Sequence, residues 1–103
     1  MQLQTDPAKF DELQAHFIAE IIDKVSIKLA EAGITGLAME EITASIVFSI
    51  ASTIDDTTPI ERDGVEVHPY LTFREGDEDL IHYGENSNTY GFVRLALKRR
   101  FDV

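Results

Sequence analysis

There is no cysteine and no tryptophan among the 103 residues, and only three prolines and six glycines. Without cysteine the chain has no disulfide, no thiolate metal ligand and no sulfur nucleophile. For so small a domain that fits a reducing compartment, and a cytoplasmic location is the expectation. The N-terminus, Met1-Gln2-Leu3-Gln4-Thr5-Asp6-Pro7, lacks the basic stretch and apolar core of an export signal. No apolar run approaches the roughly eighteen residues a membrane span needs, so no membrane association is expected. Positive charge is scarce as well: nine Lys and Arg face 19 Asp and Glu, for a formal charge of −10. That balance disfavours direct contact with nucleic acid or anionic lipid. Missing too are a Walker loop, Gly-x-Gly-x-x-Gly, Gly-x-Ser-x-Gly and His-Glu-x-x-His, so phosphate cradling, dinucleotide binding, serine hydrolysis and zinc proteolysis lose their usual supports. No cofactor and no metal are expected, and the chain is read as non-enzymatic.

What is present suffices for one hydrophobic core, and residues 1–103 read as a single acidic domain, 44% hydrophobic and 27% charged. The charge is uneven. Residues 1–85 carry 18 acids and five bases, for −13, whereas residues 86–103 carry one acid and four bases, for +3. An acidic body ends in a basic tip.

The pattern predicts an α+β fold in the order α-α-β-β-α. Asp6 followed by Pro7 signals a helix start. Phe10, Leu13, Phe17, Ile21, Val25 and Leu29, joined by Ile18 and Ile22, then recur at helical spacing up to a stop at Gly33. Thr35 can cap a second, less polar helix from about Gly36 to Ser52, whose Ala44, Ser45, Ser49, Ala51 and Ser52 permit close approach of another element. Asp55-Asp56-Thr57-Thr58-Pro59 and Glu61-Arg62-Asp63-Gly64 read as an acidic loop. From Val65 to Arg74 the apolar period becomes two, with Pro69 marking an edge or a bulge. A return strand follows at Asp79–Tyr83. A three-residue loop puts Ile81 and Tyr83 on the apolar face and a two-residue loop puts Leu80 and His82 there; the first buries the better pair. Residues 88–101 fit a helix by propensity and by their basic end, with Ser87 or Asn88 as cap; a third antiparallel strand is the alternative.

Chemistry-bearing groupings are few. His16 has Glu12 and Glu20 one turn away on either side, a possible ligand spacing that equally suits a solvated helix face. His68 and His82 share a strand face, with Tyr70 and Thr72, only if the hairpin loop has three residues. Lys98-Arg99-Arg100 suits the end of a helix dipole. The stronger signal is length. A helix from Pro7 to Ala32 would run about 39 Å, against a diameter of roughly 33 Å and a radius of gyration near ~13 Å for a compact chain of this size. Either it kinks, or it projects and buries its stripe elsewhere, and a homodimer through the helices is the simplest outcome.

Three functions compete on these grounds. The leading one is a homodimeric protein-binding module in which a protein partner with a basic patch is expected to meet Asp55, Asp56, Glu61, Asp63, Glu75, Asp77, Glu78 and Asp79. The second is an inhibitor or immunity-type protein whose carboxylates stand in for phosphates, which requires those eight residues to share one surface. The third is an enzyme or small-ligand binder using His68, His82 and Tyr70, which requires a pocket beside them.

Overall fold

A computed structural model describes residues 1–101. In chain order the elements are β1 (Gln2–Thr5), α1 (Pro7–Glu31), α2 (Gly36–Ile54), β2 (Glu61–Arg62), β3 (Val65–Glu66), β4 (Phe73–Glu75), β5 (Asp79–His82) and α3 (Tyr90–Phe101). The class is α+β, with the expected helices and hairpin in the expected order, and residues 90–101 are helical rather than a third strand.

Both ends of α1 follow from local chemistry. Asp6 Oδ1 accepts from Lys9 N at 3.1 Å, and Pro7 opens the helix without a donor to strand. At the far end Gly33 adopts φ +85, which lets its own N–H reach the Ala30 carbonyl and lets Ile34 N reach the Leu29 carbonyl. The chain thus reverses into α2. Thr35 occupies the N-cap of α2, but its hydroxyl makes no capping bond.

The three helices pack against one another, with Ile18, Ile22, Val47, Ala51 and Val93 fully buried between them. Burial of each Ile or Val contributes about 1.5–3 kcal/mol. The fully covered line on α1 is the row Phe10, Gln14, Ile18, Ile22 and Ser26, because α2 and α3 close over Ile18 and Ile22 while Phe73 and Tyr83 cover Phe10. The expected stripe through Leu13, Phe17, Ile21, Val25 and Leu29 flanks that row and is half-buried. Two polar residues of α1 therefore lie in the core, each satisfied: Ser26 Oγ donates to the Asp23 carbonyl at 2.9 Å, and Gln14 bonds on both sides of its amide.

The sheet packs on the N-terminal half of α1, where Phe73 lies 5.2 Å from Phe10 and 5.7 Å from Phe17, ring centre to ring centre. Strand order is β1-β5-β4, with β1 parallel and β4 antiparallel to β5. The pairing of Glu75 with Asp79 and Phe73 with Ile81 leaves a three-residue loop and buries Ile81, as the apolar pattern favoured.

Three strand expectations need correction. The strand read from Val65 to Arg74 is broken: Val65–Glu66 pairs with Glu61–Arg62 as a separate hairpin, and pairing resumes only at Phe73. Pro69 removes a ladder donor between the two pieces, and Val65 and Val67 remain exposed. The acidic loop contains that hairpin, turned by Asp63 at φ +53 and Gly64 at φ +80, the pair of positive angles a two-residue turn needs. The third correction is β1, which the apolar pattern did not indicate.

Candidate functional site

The eight carboxylates expected to meet a partner do not form one surface. Asp55 is 2% exposed and belongs to the interior. It follows the last residue of α2 and faces the start of α3, where it accepts from Ser87 Oγ at 2.7 Å, Thr89 N at 2.9 Å, Thr89 Oγ1 at 2.8 Å and Tyr90 N at 2.9 Å. A buried carboxylate is tolerated when charge-assisted bonds and the positive end of a helix replace its hydration, and both are present. Asn88 Oδ1 accepts from Gly91 N at 3.3 Å, the capping bond expected of it, and Asp55 adds the acceptor for Thr89 N and Tyr90 N, so its carboxylate is taken up inside the domain.

The other seven separate into groups. Asp56, at φ +58, is half-buried and bonds the exposed His68, while Glu61 and Asp63 are exposed on the β2–β3 hairpin. Glu75, Asp77 and Glu78 are exposed at the β4–β5 turn, with half-buried Asp79 opening β5. That turn lies beside the start of β1, where Gln2 N donates to the Glu78 carbonyl at 2.7 Å. The two hairpins belong to different sheets.

The histidines are also apart. His68 Nδ1 lies 3.0 Å from Asp56 Oδ2 and its Nε2 lies 3.4 Å from Glu66 Oε2. The hydrogen bond to Asp56 first, and then that to Glu66, raises its pKa above the ordinary 6.5. His82 is bound on both ring nitrogens by hydroxyls, Nδ1 to Tyr70 Oη at 2.6 Å and Nε2 to Thr5 Oγ1 at 2.9 Å. The expected meeting of Tyr70 with His82 occurs; that of His68 with His82 does not, because the chain leaves the ladder before Phe73. The Thr5–His82–Tyr70 chain ties β1 to the segment before β4. A threonine beside an imidazole has the outline of an activated nucleophile, but such a site also needs a recess and oxyanion donors, and the cavity beside Tyr70 is walled instead by Thr53, Ile54, Pro69 and Leu71.

Among the described residues His16 has no carboxylate partner; Glu12 pairs with Lys9 at 3.7 Å and Glu20 with Lys24 at 3.2 Å. Among the described residues no three His, Asp or Glu are grouped to hold a metal. At the basic end Arg100 Nε pairs with Asp23 Oδ1 at 3.4 Å, and its guanidinium lies over the Phe101 ring.

The largest departure from a self-sufficient fold lies on α2. Only Thr43, Val47 and Ala51 of its 19 residues are buried. Leu37 is 69% exposed and Ile42 and Ile46 are each 37% exposed. From Ile42 to Ile54 there is no ionisable side chain. By length and composition alone α2 is apolar enough to cross a membrane, contrary to the reading of apolar runs, because beyond Glu40 and Glu41 its polar residues are Ser and Thr rather than charges. The core helix of a water-bathed domain can meet the same criterion when it is mostly buried, and this one is mostly not. Comparison with protein-family models, with curated proteins and with solved structures returns no match for this chain.

Proposed function

We propose that this chain is a non-catalytic protein-binding module that pairs with a second copy through the outer face of α2 and presents its carboxylate-bearing turns to a basic protein partner. The observation that carries the proposal is the uncovered, charge-free face of α2 around Ile42 and Ile46. Apolar surface of that kind gains from leaving water. A chain carrying −10 repels its own copies wherever charged faces meet, so self-association is cheapest where ionisable groups are absent. A two-fold pair uses the same patch on both partners, which a single uncharged helix face satisfies, and its serines and alanines allow close backbone approach. The reading of the carboxylates as a substitute for a row of phosphates draws no support from their division between two hairpins.

Light scattering on a sizing column at low and high salt tests the self-association. The expected mass is twice 11.6 kDa at both salts, and Ile46→Glu, at a side chain already partly in water, returns the chain to a monomer with unchanged circular dichroism. A monomer at both salts sinks the pairing, as does partition of the chain onto neutral phosphatidylcholine vesicles in place of self-association.

A further inference from the structure

Between the first turns of α1, the chain leaving β5 and the start of α3 lies a cavity of about 230 Å³. Its wall includes the carboxylates of Asp11 and Glu85, the amides of Gln14 and Asn88, and the rings of Tyr83 and Phe92; no basic side chain lines it. Gln14 is 1% exposed and holds the floor in place. Its Oε1 accepts from Asn88 N at 2.8 Å, and its Nε2 donates to Asp11 Oδ1 at 3.0 Å. The Asp11 carboxylate is thereby oriented through one oxygen, and among the described residues neither its other oxygen nor Glu85 has a hydrogen-bond or ion-pair partner.

We propose that this cavity receives the guanidinium of an arginine side chain from the protein partner. The chemistry of the wall selects it. Two carboxylates without a counter-ion favour a cation, and in a molecule of net charge −10 the surrounding field concentrates cations at such a recess. Two aromatic rings favour a flat, weakly hydrated cation over a compact, strongly hydrated one. A planar fork of donors can address a carboxylate and an amide oxygen together while its flat face lies on a ring, a combination a bare metal ion does not offer. The volume is below the range of about 300–1,000 Å³ for small-molecule sites and suits the end of one side chain. The proposal rests on the reading of the chain as a module for a basic protein, but it concerns a place distinct from α2 and can fail separately.

The test is a titration of the isotope-labelled full chain with N-acetyl-arginine methylamide, followed by amide shifts in nuclear magnetic resonance, with N-acetyl-lysine methylamide and spermidine as comparison probes. Saturable shifts are expected at Gln14, Tyr83, Asn86 and Asn88, with arginine binding several-fold tighter than lysine. Glu85→Gln, at an exposed side chain, should weaken the arginine probe about tenfold, and Phe92→Leu should remove its preference over lysine. Glu31→Gln, an exposed carboxylate at the far end of α1, should leave both unchanged. Shifts that never saturate, that follow Glu31→Gln as much as Glu85→Gln, or that are strongest with spermidine overturn the proposal. A silent cavity in a chain that is still a dimer removes this inference and leaves the pairing; saturable arginine binding by a monomer does the reverse.

Discussion

Asp55 and Asp56 are neighbours of identical chemistry with different fates, one fixed inside by four hydrogen bonds and the other half-buried and bonded to the exposed His68. Replacing Asp55 by Asn keeps the volume but points an amide at donors, so buried N–H and O–H groups lose their acceptor. The expected cost is about 3 kcal/mol in urea unfolding, against about 1 kcal/mol for Ser87→Ala, which removes one bond of the four. Equal effects of the two substitutions would refute the capping role. Thr43 offers the reverse case. Among the described residues its buried Oγ1 has no partner, so Thr43→Val should raise stability by about 1 kcal/mol in the same measurement. At this scale the sequence was poorly legible. Nothing within Asp55-Asp56 says which carboxylate meets Ser87 and Thr89, more than thirty positions downstream, and Gln14 and Ser26 interrupt an apolar stripe only because their polar atoms find partners inside.

Among the elements, the helices were readable because each carries its own signals: a start at Asp6-Pro7, a stop at Gly33, and an apolar period sustained over many turns. The short strands carry none. Two- and three-residue ladders are too brief for alternation to show, and Asp63-Gly64 was the one local sign of the β2–β3 hairpin. In that hairpin Glu61 stands directly across from Glu66, a like-charge pair that weakens it, and His68 offsets the repulsion from beside Glu66. Because the folded-state pKa of His68 is raised, the contribution of its charge is complete below pH 6.5 and is lost as pH rises through the higher folded value. A histidine titration by nuclear magnetic resonance should place the His68 midpoint above 6.5, and Asp56→Asn should lower it, Asp56 being the larger cause. A midpoint indifferent to that substitution would break the assignment.

The whole molecule is elongated and flat, 44 × 37 × 22 Å with a radius of gyration of 15.3 Å, above the ~13 Å of a compact chain this long. The long helix was foreseen from its period; it runs unbroken, and the molecule lengthens to contain it. The candidate surfaces were less legible, because a stretch of carboxylates in sequence says nothing about which side of a hairpin it occupies. One consequence concerns time. Strand β1 pairs with β5, with Thr5 opposite His82 across 77 positions, whereas the α1–α2 pair closes through neighbours. During synthesis at roughly 5–20 residues per second, β1 waits about 4–15 s for its partner while the helices can already have met. Strand β1 is therefore among the last to fold, and until β5 arrives its backbone is an open edge for which a neighbouring nascent chain can compete.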